Sequence, residues 1–200
     1  MKAFAPAVIY LLLGAWTLLA LYKIFFPLQF KENRKNPVIF YHGFQAKAHK
    51  FFTFDKWMIH MAFVLWLAAY VYITARRFPS LPLDKALWFV AGYYVLLNLM
   101  LFVLHLRRKV FDQFYFLQWA YVFYLTFWLT MLTFLIYFLP LPVRWQWGLI
   151  TAAFALLLLF FHWDVWKIAR REWGIKPLYI ILYFCTLEIL PLAVFISYVI

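Results

Sequence analysis

Six long apolar runs, separated by stretches that collect most of the charge, organise the 200 residues of this chain. They cover about 4–26, 54–76, 84–106, 116–138, 146–166 and 177–200. Each is close to the ~20 residues that an α-helix, rising 1.5 Å per residue, needs to cross bilayer hydrocarbon. So many runs are more than one protein core can bury, so lipid has to be the solvent for most of the chain. The pattern predicts an all-α polytopic transmembrane bundle of six spans, forming one domain over residues 1–200. Two proline-rich corners, Pro79-Ser80-Leu81-Pro82 and Leu139-Pro140-Leu141-Pro142, predict tight turns, because proline ends a helix and favours extended or turn backbone. The first run has only Lys2 before it and no small-residue cleavage pattern before Lys23, and so reads as an uncleaved helix.

Composition strengthens the membrane assignment. Hydrophobic residues make up 68% and charged residues 13%, with a mean hydropathy of +0.84, whereas soluble domains carry about 25% charge. The net charge of +12 admits a nucleic-acid reading, but the basic residues sit between the apolar runs, where an anionic membrane face attracts them. No nucleic-acid partner is expected. If the connection at 27–53 faces the cytoplasm, the outer side keeps only Lys2, Arg76, Arg77, Lys85 and Arg144. The inner side takes the other fourteen of the 19 Lys and Arg residues. This positive-inside bias predicts six spans with both termini outside.

In the longest connection, Tyr41-His42-Gly43-Phe44 and Lys47-Ala48-His49-Lys50-Phe51-Phe52 interleave basic and aromatic residues, which suits a segment lying on anionic headgroups. The single cysteine, Cys185, excludes an intramolecular disulfide and a Cys-based zinc or iron–sulfur site within the chain. Aromatic residues reach 25% while glycine numbers 5 and no G-x-x-x-G occurs, so close small-residue helix contacts are not signalled.

The candidate chemistry lies in the few polar positions inside the runs. Glu188 falls near the middle of the last span, and a carboxyl at that depth costs about 2.5 kcal/mol or more to insert. Three residues on, Pro191 removes an intrahelical hydrogen bond and crowds the carbonyl of Leu187. Tyr94, Asn98 and His105 share a face of the third span, and Gln118 and Tyr121 a face of the fourth. His60, His105 and His162 all fall toward the cytoplasmic ends of their spans. They read as interhelical hydrogen-bonding groups, with metal or haem ligation as the alternative. No i, i+4 histidine pair makes a metal motif specific, so no cofactor is expected. Asp164 and Lys167 are three apart and read as an ordinary ion pair on a helix end reaching into the cytoplasm.

The final segment, Lys176-Pro177-Leu178-Tyr179-Ile180-Ile181-Leu182-Tyr183-Phe184-Cys185-Thr186-Leu187-Glu188-Ile189-Leu190-Pro191, resembles the C-terminal signature of an uncharacterised family. That family comprises polytopic inner-membrane proteins of Bacteroidetes-type bacteria and is known only as a domain of unknown function. The resemblance implies a Gram-negative inner (cytoplasmic) membrane and marks Cys185, Thr186, Glu188 and Pro191 as the signature positions. It supplies no activity.

Function is therefore read from the residues. The chain leaves little room for a soluble domain, carries neither G-x-S-x-G nor H-E-x-x-H, and shows no internal repeat of the transporter kind. An intramembrane carboxyl in a small protein often finds its partner on another chain. The expectation is an integral subunit or assembly factor of a larger envelope complex, with other membrane subunits and the bilayer as partners and Glu188 as its polar centre. The alternatives are a proton- or cation-coupled transporter using Glu188, and a haem-, quinone- or lipid-handling enzyme using the histidines.

Overall fold

The computed structural model describes residues 6–35, 37–38, 54–77, 87–88, 91–92, 94–95 and 110–171. Within them lie five helices: α1 (Pro6–Phe25), α2 (Pro27–Lys35), α3 (Phe54–Arg77), α4 (Val110–Phe138) and α5 (Val143–Arg171). Four of these, α1, α3, α4 and α5, contain stretches long and apolar enough to cross a membrane. The expected first, second, fourth and fifth runs thus each become a helix. The fourth begins about two turns before its apolar run, and the fifth continues past it to Arg171.

Side-chain contacts set the directions of the helices. Lys56, at the start of α3, lies 5.7 Å over the Trp119 ring near the start of α4. Further along both helices, Trp66 Nε1 donates to Thr133 Oγ1 at 3.0 Å, so α3 and α4 run parallel. In contrast, Tyr70 and Thr151 share a hydroxyl hydrogen bond of 2.8 Å, and Trp147 Nε1 donates to Thr74 Oγ1 at 3.2 Å, so α5 runs antiparallel to α3. The contacts of Trp16 with Phe127 and of Tyr22 with Phe123 make α1 antiparallel to α4. α3 ends at the far end of the bundle and α4 begins at the near end. The expected third run, 84–106, falls between them and lies mostly outside the described residues.

The core sits between α1, α3 and α4. Buried residues on α1, Val8, Leu12, Ala15, Leu19 and Tyr22, recur at spacings of four and three, the seam of a left-handed helix pair. That helix lies mainly along α3. The missing G-x-x-x-G does not prevent a close approach: a Cβ at Gly14 would stand 3.1 Å from Leu65 Cδ1, and the neighbouring Ala15 is fully buried. Packing of small residues lets the backbones approach without a repeated glycine motif. Aromatic rings fill the remaining volume. Tyr22, Phe30, Phe123 and Phe127 form a cluster of edge, tilted and stacked contacts, with centroids 5.3 to 6.4 Å apart, in the range where the quadrupoles of rings attract.

The connection after α1 departs from the loop that its charges suggest. Phe26 and Phe30 continue the helical pattern by donating to the carbonyls of Tyr22 and Phe26, at 2.8 and 2.9 Å. Pro27 interrupts α1 because it has no N–H, and then serves as the first residue of α2, where none is needed. The other corner behaves as expected, as a turn over Leu139-Pro140-Leu141-Pro142. There Gln146 Nε2 donates to the Leu139 carbonyl at 3.2 Å, satisfying an acceptor that the end of α4 leaves open.

Candidate functional site

Two polar centres lie toward one end of the bundle, where α3 and α4 begin and α1 and α5 finish.

The first centre lies between α4 and α5. Tyr121, only 3% exposed, points from α4 to α5 and donates its hydroxyl to Asp164 Oδ2. On the other carboxylate oxygen, Lys167 Nζ approaches to 3.9 Å, one turn further along α5, and it also lies 5.2 Å over the Trp163 ring. The Phe161 ring packs at a tilt against Tyr121, with centroids 4.9 Å apart. The expected ion pair within α5 is present. The longer-range partner of Asp164 leaves no signal in the sequence, because Tyr121 is 43 residues away and nothing in the local spacing points to it. A carboxylate held by a hydroxyl and an ammonium is well solvated in place, so this arrangement ties two helices together.

The second centre lies at the start of α3. Lys56 is only 4% exposed and sits over the rings of Phe116 and Trp119, at 5.9 and 5.7 Å. Such cation–π contacts replace part of the ammonium's hydration. One turn deeper, His60 Nδ1 hydrogen-bonds the Tyr94 hydroxyl, joining α3 to the expected third run. The interleaving of His60, Tyr94 and Phe63 rings extends this junction.

The two described histidines differ in role. His60 makes the interhelical bond that its place in a span suggests. His162 instead turns along its own helix, where Nδ1 donates to the Leu158 carbonyl at 2.6 Å. Among the described residues, no three His, Cys, Asp or Glu side chains come together as a metal site would need. Asn98 and His105 of the third run, and Cys185, Thr186, Glu188 and Pro191 of the last, lie outside the described residues. At the opposite end, the crevice lined by Ile73, Thr133, Tyr137, Gln146 and Ile150 is too small to hold water.

Two buried amides add to the polar groups of this half. Asn33 on α2 is fully buried, and Gln118 on α4 is 7% exposed. Neither the Asn33 side chain nor Gln118 Oε1 has a hydrogen-bond partner among the described residues. Both are costly positions for a polar group and sit at the same end as the two centres.

No curated protein and no solved structure matches the chain. Residues 8–199 match the family described as a domain of unknown function, DUF4271, and the chain belongs to that family.

Proposed function

We propose that this protein is an integral subunit or assembly factor of a larger envelope complex, held in the inner membrane of a Bacteroidetes-type bacterium. The observation that carries this reading is the use made of its ionisable groups. Asp164 is committed to Tyr121 and Lys167, and His60 to Tyr94, so side chains able to do acid–base work act as ties between helices. Glu188 is then the polar centre left for a partner, in an apolar segment that holds no Lys or Arg after Lys176.

Six spans with both termini outside complete the proposal. Two things support that count. The parallel run of α3 and α4 fits a crossing between them, and the basic residues Lys23, Lys31, Arg34, Lys35, Lys167, Arg170 and Arg171 lie toward the end where Lys56 is found. Positive-inside bias makes that end cytoplasmic.

Purification of the tagged protein from its native membrane in mild detergent tests the proposal. A defined set of membrane proteins should co-elute in fixed proportion, and the particle should be larger than the 24.3 kDa chain with its detergent belt. A chain that elutes alone from native membranes, in detergents that preserve known complexes, contradicts the reading.

A further inference from the structure

The outer surface of α2 mixes exposed basic and apolar side chains. Its buried side is set by Phe30 and Asn33, which face the bundle, with the Phe30 ring 5.4 Å from Phe123. Its outer side places Leu28, Lys31 and Lys35 on one stripe, at spacings of three and four, with Arg34 beside them. All four are exposed, Leu28 at 72%. Just before the Phe26 break, α1 ends in exposed Lys23, Ile24 and Phe25. Apolar and basic side chains thus share one outer surface, at the point where the apolar span of α1 stops.

Internal pairing consumes little of this charge. Lys35 lies 3.5 Å from Glu32, while Lys23, Lys31 and Arg34 make no ion pair among the described residues. A surface facing water gains nothing from exposing Ile24, Phe25 and Leu28. One deep in hydrocarbon could not hold Lys23, Lys31 and Arg34. A helix lying flat at the headgroup level satisfies both, with apolar side chains in the acyl boundary and cations at phosphate depth. The return of α2 against α4, through Phe30, fixes it at that level instead of letting the chain run on into the cytoplasm.

We propose that α2, with the end of α1, binds the phosphate of an anionic phospholipid through Lys23, Lys31 and Arg34, while Ile24, Phe25 and Leu28 pack on its acyl chains. The occupant is a lipid of the surrounding leaflet, selected by charge and held by apolar contact. This assignment is independent of any partner at Glu188.

Native mass spectrometry of the purified protein tests it, using equimolar phosphatidylglycerol and phosphatidylcholine with identical acyl chains. The wild-type protein should retain phosphatidylglycerol in clear excess. Each charge removed at this surface is worth about fivefold in retention, so the Lys31→Gln/Arg34→Gln double variant should lose more than tenfold of that excess. Both positions are exposed, so helicity measured by circular dichroism should be unchanged. Arg144→Gln, exposed at the opposite end, should behave as wild type. Leu28→Gln should lower retention of both lipids, and millimolar glycerol phosphate should displace neither. Equal retention of the two lipids by wild type, an unaffected double variant, or full displacement by glycerol phosphate would each overturn the proposal.

Discussion

The hydroxyl of Tyr121 on α4 donates to the carboxylate of Asp164 on α5, across the interface where the two helices meet near the basic end of the bundle. Tyr121 is buried, while the Asp164 side chain is 29% exposed and also faces Lys167. The pair therefore has one dry member and one member in reach of water, which makes its energetic role separable from that of the neighbouring ion pair.

A double-mutant cycle should show this. Tyr121→Phe and Asp164→Asn are expected to destabilise the protein singly, with a coupling of about 1 kcal/mol, within the span seen for polar pairs in membrane proteins. Lys167→Gln should cost less than 1 kcal/mol, because its side chain is 47% exposed and its pair is screened. Unfolding in mixed detergent micelles gives all three values. Additive effects of Tyr121→Phe and Asp164→Asn would mean that the hydrogen bond contributes nothing to holding α4 on α5.

Trp66 offers a sharper structural test. It is fully buried, stacks between Phe63 and Tyr70, and donates to Thr133. Trp66→Ala should cost about 3–5 kcal/mol through lost packing and the cavity left behind, while Trp66→Phe should cost far less. Thr133→Val should resemble Trp66→Phe, since each removes one end of the same hydrogen bond. The measurement is the thermal midpoint of the purified variants.

How far the sequence revealed this structure depends on the range of the signal. The apolar runs mark α1, α3, α4 and α5 directly, because bilayer thickness translates into run length. They set ends poorly, since α5 carries its helix on to Arg171 through residues that are polar yet good helix formers. The helix at Pro27–Lys35 has no such mark, because a proline followed by four charged residues among nine has the composition of a loop. It is held on the bundle by the buried Phe30 and Asn33, and by Gln29, which accepts from the Tyr22 hydroxyl at 3.3 Å. Tyr121 and Asp164, and Lys56 and Trp119, meet only through tertiary packing, and no local periodicity encodes such pairs.

Topology can be read directly. Single cysteines at Arg34 and Arg170, in a Cys185→Ala background, should react with impermeant reagents only from the cytoplasmic side. One at Leu141 should react only from the outside. All three positions are exposed. Labelling of Arg34 and Leu141 from the same side would remove the six-span arrangement.

The histidines make a spectroscopic prediction. His60 bonds to Tyr94, and His162 to the Leu158 carbonyl. Replacing His60, His105 or His162 with Gln should therefore leave the purified protein as colourless as wild type and cost little stability. A Soret band in wild type that vanishes in His105→Gln would establish ligation in place of structural bonding.

Glu188 carries the central claim, and the decisive measurement compares Glu188→Gln with Glu188→Leu in cells and in mild-detergent purifications. Glutamine keeps the shape and hydrogen-bonding capacity but cannot ionise, whereas leucine keeps only bulk and apolarity. If Glu188 docks a partner subunit, Gln should retain the co-purifying proteins and the cellular phenotype, and Leu should lose both. A Gln variant that assembles with its partners yet is functionally dead would contradict the account and assign Glu188 to carrying a proton or cation across the membrane.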